Sequence, residues 1–223
     1  LTLTPKDNPA FSYTGSTFCQ TGTDPTPVIS GLPGGAFAGN PGTLVINSST
    51  GTVDLSASPL GTYTVTYSTA GVCPNSSSQL LTITVAPSAA FSFTATPYCT
   101  SGADPLPVFP LGASGGVFTA GAGLNINSVS GSIDLSASTP ATYTVTNTIA
   151  AAGGCAVATA TQVVVIDQEA TVDANISQNI CYGSTVLLAG SIGGSATSGT
   201  WTGGAGAYSP GAGTLGATYT PTS

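Results

Sequence analysis

The chain has 223 residues, with Lys6 its only cation against eight carboxylates, a net charge of −7 and no histidine or methionine. So few cations leave no electrostatic footprint for nucleic acid or anionic lipid, which excludes both as partners. No stretch is long and apolar enough to cross a bilayer, and the residues from Leu1 onward do not resemble a signal peptide, so any export signal or anchor is expected outside this sequence.

An internal repeat with a period of 80 residues organises the chain. Residues 44–58, LVINSSTGTVDLSAS, return at 124–138 as LNINSVSGSIDLSAS. Phe11 matches Phe91, Cys19 matches Cys99, Asp24-Pro25 matches Asp104-Pro105, and Thr62 to Thr66 match Thr142 to Thr146. Self-similarity at this spacing predicts an array of small domains rather than one active-site architecture. The expected segments are 1–8, the last strand of a preceding repeat (LTLT, like LTIT at 81–84) plus a linker; 9–87, repeat one; 88–168, repeat two; and 169–223, a truncated third repeat.

In repeat one, Phe11 and Tyr13 alternate with Ser12 and Thr14, predicting a first strand with its aromatics inward; Phe91 and Phe93 do the same in repeat two. The proline-rich run 24–28 suits an edge segment or a bend, because proline donates no ladder hydrogen bond. A short strand is expected around Phe37. Leu44 to Asn47 and Thr52 to Leu55 read as a hairpin, with Gly51 free to take positive φ. Gly61 opens the clearest strand, with Tyr63 and Val65 on one face and Thr62, Thr64 and Thr66 on the other. Leu81, Ile83 and Val85 close the repeat. In the third repeat, 172–176, 185–189 and 200–202 read as strands, Trp201 as a core residue, and 217–221 as a further strand or bend.

Six or seven short strands per repeat, with turns at this spacing, predict an all-β fold: tandem immunoglobulin-like antiparallel β-sandwich domains in an extended rod. The linkers, 86–89 and 167–171, are short and contain no Gly/Ser tract, which favours a semi-rigid rod. Neither full repeat contains tryptophan, so the likeness to immunoglobulin domains is one of architecture alone.

The repeat sorts the five cysteines. Cys19 and Cys73 are 54 residues apart in repeat one, Cys99 and Cys155 are 56 apart in repeat two, and Cys181 stands alone in the third. The near-equal separations predict disulfides Cys19–Cys73 and Cys99–Cys155, each stabilising its domain by about 4 kcal/mol in the chain-entropy model. Without histidine or CxxC spacing, the cysteines do not read as a metal site. Cys181 is expected to be unpaired within these residues and to find its partner further along.

The residues carry no nucleophile–histidine pair, no zinc set and no cofactor motif, so neither catalysis nor a cofactor is expected. Asp24 and Asp54 recur as Asp104 and Asp134, as structural positions do. Asp54 and Asp134 are weak calcium candidates against a simpler role as turn carboxylates bonded to nearby backbone N–H groups. Asp24 and Asp104, each before proline, read as turn initiators. Lys6 alone cannot supply an isopeptide crosslink to both repeats.

Tyr-Thr-Val-Thr followed by a Gly/Ala-rich loop, a cysteine, and alternating threonine and β-branched residues resembles the repeats of large cell-surface adhesins of Bacteroidota, including the SprB-type gliding adhesins. In the third repeat, 172–174, 180–184, 199–201 and 217–221 are similar to the PKD-like and immunoglobulin-like modules of the same proteins. The resemblance implies an extracellular, cell-surface location, secretion by the type IX system, and a role in adhesion, gliding or surface filaments. Partners would be neighbouring repeats of the same polypeptide, with surface glycans or other cells met through a distal region, and no membrane insertion. The expected function is a non-catalytic stalk or filament segment. The alternative is a glycan-binding or spacer module of a secreted hydrolase, which exposed Tyr98, Tyr182 or Tyr208 in a row would favour.

Overall fold

The computed structural model describes residues 2–181 and 183–222. The chain gathers into two compact units, one of residues 1–91, 109–117 and 147–160, the other of residues 92–108, 118–146 and 161–223. Leu1 and Tyr182 lie outside the described residues. Thr2 to Thr4, expected in a strand, are exposed and outside any strand.

Repeat one contributes β1 (Phe11–Ser12), β2 (Thr17–Cys19), β3 (Val28–Ile29), β4 (Ala36–Asn40), β5 (Gly61–Ser68) and β6 (Ser76–Thr84). The long strands form where threonine alternates with Tyr, Val, Leu or Ile, because β-branched and aromatic side chains pack well on a pleated surface. β5 and β6 pair antiparallel from Gly61↔Ile83 to Ser68↔Ser76, and β4 adds to β5. Tyr63, Val65, Tyr67, Leu81 and Ile83 point into the core. On the opposite face, hydroxyls meet across the strands at Thr62–Thr82 (3.0 Å) and Thr66–Ser78 (2.8 Å). These are the cross-strand pairs expected on a wet sheet face.

The other edge of this sheet is parallel. β2 runs alongside β6 with Thr17↔Thr82 and Cys19↔Thr84, giving the order β2-β6-β5-β4. A second layer comes from the β1–β3 pair and from the 44–55 hairpin, which narrows to a single Ile46↔Val53 bridge. Phe11, Tyr13, Phe37, Leu44, Val53 and Leu55 join the β5 and β6 side chains between the layers. Phe11 meets Phe37 edge-on (5.4 Å, 86°), and Phe37 lies 4.5 Å from Tyr67. Edge-to-face contacts of this kind add to what area burial alone supplies.

Repeat two contributes β7 (Tyr98–Cys99), β8 (Val117–Thr119), β9 (Asn125–Ile126), β10 (Ile133–Asp134), β11 (Ala141–Ile149) and β12 (Ala158–Asp167). The sheet order β7-β12-β11-β8 repeats that of β2-β6-β5-β4, including the parallel edge strand. Phe118, Ile133, Leu135, Val145, Val164 and Ile166 are buried. Residues 169–223 form β13 (Thr171–Asp173), β14 (Val186–Leu187), β15 (Ser191–Gly193), β16 (Ala207–Ser209) and β17 (Thr218–Thr220) in two small sheets, β13-β15 and β14-β17-β16. Residues 200–202 are not a strand, and Trp201 is half-buried in a loop instead of centred in a core. The architecture is all-β, an immunoglobulin-like β-sandwich in which each four-stranded sheet carries one short parallel edge strand. Among the described residues no helix is long and apolar enough to cross a membrane.

Candidate functional site

Cysteine placement follows from the parallel edge strand. Cys19 ends β2 opposite Thr84, the last residue of β6, whereas Cys73 precedes Ser76, the first. Eight steps along β6 at ~3.3 Å each separate those ends by roughly 26 Å. A disulfide tolerates only about 7 Å between Cα atoms, so the expected Cys19–Cys73 bond cannot form. The same topology rules out Cys99–Cys155, because Cys99 stands opposite Asp167 at the end of β12 and Cys155 precedes Ala158 at its start. The structure instead joins Cys19 to Cys155, with Cα atoms 4.6 Å apart and 136 residues between them in sequence. Cys73, Cys99 and Cys181 are free, the first half-buried and the other two exposed.

Around this bond, within the first unit, the turn carrying Cys155 lies against the end of β6. The Cys155 Sγ is 3.4 Å from the Val85 carbonyl oxygen and 3.6 Å from Thr84 Oγ1, and that hydroxyl donates to the Gly153 carbonyl at 2.5 Å. Gly153 and Gly154 both take positive φ there, and a Cβ on Gly154 would come within 2.4 Å of the Thr17 carbonyl oxygen. The two glycines let the turn approach closely enough for the sulfurs to meet. Closing a loop of this length stabilises the fold by about 5 kcal/mol in the chain-entropy model. The bond covalently ties one sequence repeat to the next.

The recurring carboxylates have two distinct roles. Asp54 Oδ1 accepts the Ala57 N–H at 2.9 Å and the Ser56 hydroxyl at 2.8 Å, and Asp134 does the same with Ala137 (3.0 Å) and Ser136 (2.8 Å). These bonds favour the charged form. The Ala57 N–H, then the Ser56 hydroxyl, holds Asp54 below the usual aspartate value, and the Ser136 hydroxyl, then the Ala137 N–H, does so for Asp134. Among the described residues no three His, Cys, Asp or Glu side chains gather as a metal site would need. Asp24 and Asp104 reach further than a local turn: their Oδ1 atoms accept the N–H of Leu55 and Leu135, 31 residues on, at 2.9 Å each. Val53 N and Ile133 N bond to the carbonyls of Pro25 and Pro105 (3.1 Å each). The Asp-Pro run thereby docks on the hairpin as a substitute strand.

Several buried polar groups were not read from the sequence. Ser58 Oγ, 1 % exposed, accepts from Val45 N and donates to the Asp54 carbonyl, and Ser138 repeats this with Asn125 and Asp134. The identical DLSAS runs carried that signal. Asn147, fully buried, donates to the carbonyls of Ala89 and Ser114 and accepts from Gly116 N. No sequence signal marks it, because tyrosine occupies the same place in repeat one.

In the second unit, a cleft of about 310 Å³ lies between Val172, Asp173, Gly190, Gly199, Trp201 and Leu215. The Trp201 indole N–H is shared by the carbonyls of Thr214 and Leu215, both at 3.1 Å, which pins the ring in place. Of the candidate platform tyrosines, Tyr98 and Tyr208 are engaged locally; Tyr182 lies outside the described residues. Tyr98 OH accepts the Ala95 N–H, and Tyr208 packs 4.9 Å from Tyr219 while donating to the Gly203 carbonyl.

No family model matches the chain, and no curated protein does. Among solved structures, the chain is similar to mouse cadherin-23 EC22-24, at 13% identity over 96% of this chain and 88% of that one, with a TM-score of 0.32. It is similar to protocadherin gammaB7 EC3-6, at 12% identity over 96% and 69%, with a TM-score of 0.36. It is also similar to a SusE-like surface-located polysaccharide-binding protein from the Bacteroides thetaiotaomicron heparin utilisation locus, at 15% identity over 66% of this chain and 31% of that one, with a TM-score of 0.26. Likenesses at this level carry no argument about function.

Proposed function

We propose that this chain is a non-catalytic structural segment of a large secreted cell-surface adhesin, in which residues 9–87 and 88–168 are successive domains of a stalk and 169–223 belong to a third. The observation that carries this reading is the Cys19–Cys155 bond. A spacer under tension gains from a covalent shortcut between repeats, whereas a soluble binding module does not need one. A disulfide also fits an oxidising, extracellular compartment.

Aromatic placement supports the same reading. Phe11, Tyr13, Phe37, Tyr63, Tyr67, Phe91, Phe118 and Tyr143 are spent on the interior. Carbohydrate modules expose aromatic faces, whereas Tyr98 and Tyr208 are tied to their own turns. Adhesion or gliding as the task of the stalk, and type IX secretion as its route, come from the family resemblance. Electron microscopy of intact source cells, labelled with an antibody to residues 9–168, tests the proposal. Label along thin surface fibres is the expected result; label on compact soluble particles would overturn it in favour of an accessory module of a secreted enzyme.

A further inference from the structure

Cys19 and Cys99 are held in the same way. Each faces the last residue of a long strand, Thr84 for Cys19 and Asp167 for Cys99. Each is followed by an N–H bonded back to that residue, Gln20 to Thr84 at 2.9 Å and Thr100 to Asp167 at 3.0 Å. Each closes the same turn, Gly22 N to the Cys19 carbonyl at 2.8 Å and Gly102 N to the Cys99 carbonyl at 2.9 Å. Cys181 shares that turn through Ser184 N at 3.0 Å. The Cys19 sulfur is bonded and buried, whereas Cys99 is exposed and free.

Cys73 and Cys155 form a second matched pair. The Cys155 sulfur lies 3.4 Å from the Val85 carbonyl oxygen, just past the end of β6. The Cys73 sulfur lies 3.6 Å from the Thr4 carbonyl oxygen, and Thr4 is the repeat equivalent of Thr84. Asp7 N bonds to the Cys73 carbonyl at 2.9 Å and holds this loop against residues 4–7. Cys73 is therefore parked where a strand-end cysteine of the Cys19 kind would meet it. Among the described residues two types of cysteine stand out, strand-end and loop, and the Cys19–Cys155 bond joins one of each.

We propose that Cys99 and Cys73 are the two open halves of this same bond: Cys99 takes the loop cysteine of a following repeat, and Cys73 takes the strand-end cysteine of a preceding repeat. Consecutive repeats would then be linked by a continuous series of disulfides, each spanning a repeat boundary. Each bond forms when two thiols surrender two protons and two electrons to a disulfide oxidant, which leaves as two thiols. The inference rests on the tandem-array reading but not on adhesion as its task.

The test is disulfide mapping of the intact protein released from source cells, blocked with N-ethylmaleimide without reduction. Pepsin is the protease, because one lysine offers trypsin almost nothing to cut. Peptides containing Cys73 and Cys99 are expected as disulfide-linked pairs, each with a peptide of the opposite cysteine type, and as single peptides only after reduction. Recovery of either as the maleimide adduct before reduction would overturn the proposal, as would Cys19–Cys73 or Cys99–Cys155 links or attachment to an unrelated protein. A Cys19–Cys155 link beside blocked Cys73 and Cys99 would end the series while leaving the array intact. The array itself stands or falls on the microscopy.

Discussion

Tyr67 and Asn147 occupy the same place in successive repeats and tie down the same glycine turn, one with a hydroxyl and the other with an amide. Tyr67 OH donates to the Leu32 carbonyl at 2.7 Å and accepts the Gly35 N–H at 2.9 Å. Asn147 accepts the Gly116 N–H at 2.7 Å and donates to Ala89 and Ser114 at 2.9 Å each. Both side chains are fully buried, and their bonds lie partly or wholly out of solvent. Tyr67→Phe is expected to cost about 1–3 kcal/mol, and Asn147→Leu more, because it orphans three backbone groups rather than two. Urea unfolding of the two variants checks the order.

Gly51 sits at φ +73° between Pro27 and Phe37, where an added Cβ would come within 2.6 Å of the proline ring. Gly51→Ala therefore combines backbone strain with a steric clash and is expected to destabilise by about 2–3 kcal/mol. Gly42 has open space around it and no left-handed φ, so Gly42→Ala should change little. Thermal melts of the two variants separate the effects.

Acid should weaken the fold through Asp54 and Asp134, whose folded values lie below the ordinary aspartate value of 3.8. A depressed carboxylate contributes stability that is fully present above the unfolded value and is lost as pH falls through the folded one. The loss is thus expected below about pH 4. The double variant Asp54→Asn, Asp134→Asn should flatten that limb of a stability–pH curve. An unchanged limb would show that these two carboxylates do not cause the acid loss of stability.

Alkali acts through Tyr13, which burial pushes up to about 12 and whose hydroxyl donates to the Gly51 carbonyl at 2.6 Å. Between about pH 10 and 12 the unfolded chain gives up this proton while the folded chain keeps it, so stability falls with rising pH across that window. Repeat two has Phe93 at the matching position and no such group. Tyr13→Phe should lower stability at neutral pH and make it less sensitive to pH above 10, as denaturant titrations at the two pH values would show.

How much of this was legible depends on what repetition and alternation encode. The duplicated runs exposed the repeats directly, and the Thr-X-Thr alternation placed Tyr63, Val65 and their partners correctly, because a period of two fixes which face is buried. Alternation carries no strand direction, so the parallel pairing of β2 with β6 was invisible. That single topological fact decides which end of the sheet Cys19 occupies, and hence the disulfide. Asn147 was missed because a polar residue inside an apolar pattern looks like a surface position until its partners are known. Trp201 was misplaced because its glycine-rich surroundings form turns where a strand was expected.

Load on the chain is expected to pass through the Cys19–Cys155 bond and bypass the residues that it encloses. Single-molecule pulling on this chain from its two ends, with and without a reducing agent, tests it directly. The oxidised chain should unfold with a released length roughly 490 Å shorter than the reduced chain, since 136 residue steps stay locked behind the bond. Equal released lengths in both conditions would show that the bond does not shield these residues from load.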